Sequence, residues 1–308
     1  MRLVLDALIP VFALIVVGYG LRRSLLPDPR FWAGASQLSY FVLLPALLVN
    51  QLAGATLRAD LFTTLWGVAG GAILLVALLV WLTKHWTTNS NGAFTSVLQG
   101  SIRPNTYIAL ALPAALFGQE GLVYTAITLA ATVPLVNILS VMALVRYQGD
   151  EQRRGDGGLR SMIHSLLHNP LIVACAIGIG LNRSGLGVPI DLAHVLIALT
   201  QAALPIGLLT VGAGLDLTTL QTAVRPLVSA TLVKLVLSPA VALLLCRLLD
   251  VTPLLTGVCT ILLALPCATA SYILAERMGG DFRLMAGILT VQTLAAGITL
   301  PLLLLWLQ

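Results

Sequence analysis

Apolar runs close to the ~20 residues that cross a bilayer's hydrocarbon core recur along this chain, separated by short polar stretches. Ten spans can be drawn, at roughly 3–22, 32–53, 61–83, 93–117, 121–146, 168–184, 191–214, 225–249, 254–276 and 282–306. The longest connection, 147–167, carries Gln148-Gly-Asp-Glu-Gln-Arg-Arg-Gly-Asp-Gly-Gly and reads as a flexible cytoplasmic linker. The first run is read as a retained helix and not a signal peptide. Only Arg2 precedes it, it contains Asp6, it has no clear small-residue cleavage site, and it ends in Arg22-Arg23.

The landmark prolines repeat about 160 positions apart. Pro10, followed by Val-Phe-Ala-Leu-Ile-Val-Val-Gly-Tyr-Gly-Leu, is echoed by Pro170, followed by Leu-Ile-Val-Ala-Cys-Ala-Ile-Gly-Ile-Gly-Leu. Pro45 is echoed by Pro205, and Pro104 by Pro266; Thr128-Leu-Ala-Ala near Pro134 returns as Thr293-Leu-Ala-Ala near Pro301. Gly118 and Gly280 each follow their landmark proline by fourteen residues, with Glu120 and Asp281 close behind. Five spans per copy is an odd number, so the second copy must enter the membrane from the opposite side. The expectation is an all-α polytopic membrane protein of ten transmembrane helices in two inverted five-helix repeats, 1–146 and 168–308, joined by the linker 147–167. Duplicated apolar helices with prolines inside them point to secondary transport.

Composition agrees: 58% of the 308 residues are hydrophobic and 9% charged, against about 25% charged in soluble domains. The charges set the orientation. With the N-terminus outside, the inner loops hold Arg22, Arg23, Arg30, Lys84, Arg146, Arg153, Arg154, Arg160, Arg225, Arg277 and Arg283, and the outer segments only Arg2, Arg58, Arg183 and Arg247. The positive-inside rule therefore places both termini outside. The net charge of +5 is an effect of these loops, and with no basic stripe interleaved with aromatics it does not point to nucleic acid. The cysteines Cys175, Cys246, Cys259 and Cys267 lie in apolar runs, form no Cys-x-x-Cys pair and read as buried filler. No His-Glu-x-x-His, Gly-x-Ser-x-Gly or Walker lysine loop is present, and no histidine set has metal spacing. Neither an enzyme, a metal site nor a cofactor is expected. Asn182-Arg-Ser has the form of a glycosylation sequon but abuts a span in a very short loop.

Candidate chemistry gathers in two spans. In Ser101-Ile-Arg-Pro-Asn-Thr-Tyr, Arg103 lies midway through an apolar run. Burying it there costs at least ~2.5–3.5 kcal/mol, so it should face a cavity or a partner. Pro104 removes a backbone donor and breaks the turn, which lipid does not tolerate and a protein cavity does. Arg103, Pro104 and Asn105 thus suit a carboxylate: a cation for charge, an amide for geometry, a half-helix N-terminus for partial charge. The alternative is that Arg103 only locks helices together. The ninth span supplies Pro266, Cys267, Thr269, Ser271 and Tyr272, with small residues that allow close approach. Two broken helices related by an inverted repeat should cross near the midplane and build one site. Lys234, deep in the eighth span, is a candidate coupling or substrate-neutralising group; snorkelling, or pairing with Asp6 or Asp216, is the alternative. Asn50, Gln51, Asn137, Gln201 and Gln292 read as interhelical glue.

Three motifs carry a family resemblance: Arg103-Pro-Asn-Thr-Tyr107, Leu265-Pro-x5-Tyr272-x2-Ala275, and Thr290-Val-Gln-Thr-Leu-Ala-Ala-Gly-Ile-Thr-Leu-Pro301. Over essentially its full length the chain resembles the auxin efflux carrier family, which includes plant PIN carriers and compact bacterial organic-acid carriers. It departs at Leu112, where many relatives carry a glycine before the proline matching Pro113. The resemblance implies a fold similar to that of bile-acid/sodium symporters, with helices four and nine broken and crossing. It also implies a carboxylate site beside the crossing at Asn105 and Pro266, a bacterial inner-membrane location and a homodimer. The expected partners are a small organic anion, such as a malate- or malonate-like acid or an aromatic carboxylate, and the lipid bilayer. The rivals are a sodium-coupled symporter of the bile-acid type and a membrane sensor that binds without transport.

Overall fold

The computed structural model describes residues 2–55, 59–147, 169–185, 187–188, 190–218 and 224–307; the expected linker lies outside them apart from Tyr147. These residues are helical, with no strand among them. In chain order the elements are α1 (Arg2–Arg23), α2 (Pro29–Leu38), α3 (Leu44–Ala53), α4 (Ala59–Leu82), α5 (Lys84–Thr87), α6 (Asn91–Ile102) and α7 (Thr106–Tyr147). After the linker come α8 (Pro170–Ser184), α9 (Ile190–Ala213), α10 (Val224–Leu232), α11 (Ser238–Leu248), α12 (Pro253–Ala264), α13 (Ala270–Arg277) and α14 (Phe282–Leu307).

Proline placement explains most of the interruptions. Wide π turns at Ser39–Leu43 and Val233–Leu237 join α2 to α3 and α10 to α11. Each is followed by a proline at the second residue of the next helix, Pro45 or Pro239. A proline inside a helix donates no bond and crowds the carbonyl four residues back, and one widened turn relieves both problems without ending the helix. Pro10 and Pro205 instead sit inside continuous helices, whereas Pro170 is at the start of α8, behind the Asn169 cap. Within α7 the chain kinks at Gly118, at φ 62° and ψ −145°, a conformation open to glycine and strained for other residues. Near the matching position of the second repeat the left-handed residue is Gly279 (φ 74°), one position before Gly280. Gly280 is tightly packed instead, 3.2 Å from Ala275 and Leu144 as measured from a Cβ placed on it.

Among the described residues seven helical stretches are long and apolar enough to cross a membrane, and α8 and α12 are shorter apolar helices. Large apolar side chains such as Val16, Leu82, Ile298 and Leu302 are well exposed. In an apolar chain this is the outer face that lipid covers. The protein is an integral polytopic helical membrane protein.

Two compact units divide the chain, and each draws on both sequence halves. The first comprises residues 1–65, 106–130 and 167–215. Its α1 and α9 lie backbone to backbone because glycine faces the partner from both sides. A Cβ on Gly18 would overlap the Leu209 carbonyl, and one on Gly212 would overlap that of Ile15. Gly178 lets α8 approach α3 at Val49 and Leu52 in the same way. The Asn182 side chain is engaged internally, donating to the carbonyls of Ala53 at 3.0 Å and Ala55 at 2.6 Å. Gln51, expected as glue, accepts from the Gln119 amide. A Gly212→Ala protein should lose about 1–3 kcal/mol of stability through overpacking. Gly20→Ala, where a Cβ meets open space, should lose none. Melting curves of the two in detergent check this, and equal melting would contradict the close contact.

The second unit comprises residues 66–105, 131–166 and 216–308. In it an aromatic clasp joins α4, α5 and α7. Trp81 Nε1 donates to the Tyr147 hydroxyl at 2.6 Å, and Lys84 Nζ lies 3.9 Å from the Tyr147 ring centre while donating to Asn91 Oδ1 at 2.8 Å. Asp281 caps α14 by accepting from the Leu284 amide, and its own carbonyl accepts from Ser96 Oγ at 2.8 Å.

Candidate functional site

Both helices expected to break do break, in the second unit. α6 stops at Ile102 and helix resumes at Thr106; α12 stops at Ala264 and α13 starts at Ala270. Arg103 and Leu265 take extended backbone angles, as residues preceding proline do. The two open stretches pair with one another. Pro104 and Cys267 form an antiparallel bridge. The Asn105 amide donates to the Pro266 carbonyl at 2.9 Å, and the Ala268 amide donates to the Arg103 carbonyl at 3.3 Å. This pairing lets unwound backbone sit in an apolar core: groups released by each break are satisfied by the other.

Side chains complete the joint. Gln292 of α14 accepts from the Cys267 amide at 2.8 Å and donates to the carbonyls of Gly100 at 3.0 Å and Ala230 at 3.1 Å. One amide thus ties α6, α10 and the second break to α14. The Cys267 thiol points toward the Gln99 carbonyl at 3.7 Å and the Ser271 hydroxyl at 3.2 Å. Ser238 Oγ donates to the Ser101 carbonyl at 3.4 Å. Gly100 leaves room for this arrangement, since a Cβ there would stand 2.7 Å from Ile288 Cγ2.

The expected site residues separate by depth. Arg103, Pro104, Asn105, Pro266, Cys267 and Ser271 are buried; Arg103 retains 8% exposure and Asn105 1%. Thr269 and Tyr272 are half-buried, with the Tyr272 ring edge-on to Phe282 at 6.0 Å. Of the ninth-span hydroxyls, Thr269 and Tyr272 therefore reach the accessible side, while Ser271 is turned inward to the Cys267 thiol. Lys234 is fully buried, which overturns the snorkelling alternative: the π turn that carries it packs against α6, α12 and α14. It is not bonded to Asp216, whose carboxylate accepts from the amide and hydroxyl of Thr218. Arg103 and Lys234 both lie within electrostatic reach of the Cys267 thiol.

Sequence reading overlooked Gln99, which is fully buried on α6, and counted Gln292 only as general glue. The available signal was position. Gln99 lies four residues before Arg103, in the last turn of the helix that the break ends. Among the described residues no group of three or more His, Cys, Asp or Glu side chains could hold a metal ion. The arrangement offers a cation, an amide and hydroxyls around a backbone joint, which suits binding of an anion and lacks a nucleophile–base pair.

Fold and site together define a polytopic helical membrane protein with a polar joint buried in its core. Residues 158–304 match a family model described as a membrane transport protein. That match supports the motif resemblance to the auxin efflux carrier family, a family of transporters and not of enzymes. No curated protein matches the chain.

Proposed function

We propose that this chain is a secondary-active carrier of a small organic anion, malate- or malonate-like or an aromatic carboxylate. It works by alternating access on ten helices in two inverted repeats whose fourth and ninth members cross. The observation that carries the reading is the paired interruption itself, with Arg103 inside it. A membrane protein keeps a buried arginine beside unwound backbone at a cost, and a translocated anion gives that cost a purpose. In this reading Arg103 neutralises the carboxylate, Asn105 orients it, and Thr269 with Tyr272 contacts it from the second break. The helices of spans one, two, six and seven fall in one compact unit together with the start of α7, and α6, α12 and α13 fall in the other, so the fourth span is divided at its break.

The test is uptake of labelled malate, malonate and an indole carboxylate into proteoliposomes, with an imposed voltage, pH gradient or sodium gradient in turn. Saturable flux of one acid without sodium is the expected result. Flux only with sodium would transfer the chain to the symporter reading. Binding without flux would make it a sensor.

A further inference from the structure

The π turn at Val233–Leu237 places a lysine where its length and charge have a structural consequence. Ala230, Lys234 and Ser238 follow one another at four-residue intervals along one face of α10–α11. Both ends of that stripe meet the last turn of α6. Ala230 shares the Gln292 amide with Gly100, and Ser238 Oγ donates to the Ser101 carbonyl. Lys234 lies between them, fully buried, and its Nζ has no hydrogen-bond partner among the described residues.

The last turn of a helix presents carbonyls that have no partner within the helix, and the helix dipole places partial negative charge there. At α6 these carbonyls attract donors from several elements. Gln99 O takes the Arg103 amide and the Cys267 thiol, Gly100 O takes Gln292, and Ser101 O takes Ser238. Such a concentration of carbonyl oxygen at a broken helix end, deep in an apolar core, attracts a monovalent cation. No buried carboxylate accompanies Lys234 among the described residues, and the π turn that carries it packs against α6.

We propose that Lys234 is a fixed internal cation that holds the carbonyl end of α6 in the place an inorganic monovalent cation would otherwise fill. A tethered ammonium cannot dissociate, so the joint keeps its shape whether or not sodium is present. Resting on the carrier reading above, this also accounts for a transport cycle that needs no sodium. Lys234 is then a positioning residue: it acts on the joint and does not touch the transported acid.

The experiment uses the full chain purified in detergent and reconstituted in liposomes, with sodium chloride compared against choline chloride. In the wild type neither melting nor flux should depend on sodium. Lys234→Ser removes the ammonium, leaves space and adds an oxygen. It should melt about 5 °C lower in choline and recover with a saturable sodium dependence. Its flux should fall at least tenfold in choline and return with sodium. Lys234→Met fills the same space without charge or oxygen ligands, so it should fold, lose at least tenfold in flux, and gain nothing from sodium.

Wild-type melting and flux in both variants, with or without sodium, would overturn the proposal and make Lys234 a space filler. If Lys234→Ser does not fold in either salt, Lys234→Met decides: tenfold or greater loss of flux in folded protein supports the proposal, and full flux overturns it. A wild type that moves no acid, while Lys234→Ser still shows sodium-dependent melting, would sink the carrier reading and leave the assignment of Lys234 intact.

Discussion

Replacing Arg103 with alanine is expected to cut carboxylate uptake by at least about 30-fold while leaving the protein folded. Taking one partner from a buried, hydrogen-bonded charge pair costs upwards of ~2 kcal/mol, and each 1.4 kcal/mol is about tenfold in affinity. The fold should survive because the joint is closed by backbone: the Asn105 amide to Pro266 and the Ala268 amide to Arg103 do not involve the guanidinium. Arg103→Lys should keep part of the activity, since it retains charge and loses the fork that engages a carboxylate with two parallel bonds. Initial rates at several substrate concentrations separate weakened binding from a slowed cycle. Normal uptake by Arg103→Ala would refute the substrate role and leave Arg103 as a helix lock.

Gln292→Leu should destabilise the protein by about 3–5 kcal/mol. The residue makes three hydrogen bonds at the joint, and interhelical bonds inside membranes average only ~0.6 kcal/mol apiece. Those bonds alone would account for about 2 kcal/mol. The Cys267 amide, buried and left with no acceptor, adds its desolvation penalty of ~1–3 kcal/mol. Leucine is close to glutamine in size, so lost polarity and not a cavity sets the result. Unfolding followed by heat or denaturant in detergent measures it. Gln292→Glu is the informative companion. It keeps the acceptor for Cys267 and loses both donors to Gly100 and Ala230, so it separates the two halves of the clasp. Unchanged stability in Gln292→Leu would mean that backbone pairing alone holds the interruptions together.

Proline and charge made the interruptions legible in advance. Pro104 and Pro266 cannot continue a helix smoothly, and Arg103 cannot face lipid at that depth, so residue chemistry alone marks both segments as broken and buried. Gly118 was legible as a span boundary for the same local reason. The details that depend on neighbours were not. Pro45 and Pro239 announce a disturbance, but whether a proline yields a π turn, a kink or, as at Pro205, a continuous helix depends on what packs beside it. Ser271 and Thr269 look alike as hydroxyls near a break. Only the direction in which α13 leaves the break turns one to the Cys267 thiol and the other to the accessible side.

Apolar spans, their interruptions, the positive-inside asymmetry and a buried cation next to a proline are properties of residues read one segment at a time, and the sequence by itself determined them. Which interruption pairs with which, that Gln292 clasps the joint, that Lys234 is buried in a π turn packed against α6, and that the compact units draw on both halves came only with the tertiary structure. Hydrogen bonds such as Asn105 to Pro266 and Gln292 to Gly100 join residues more than 150 positions apart. Nothing in the local chemistry of a glutamine or a freed carbonyl specifies its partner. The partner is set when unwound backbone has no water to turn to and must find its complement inside the protein.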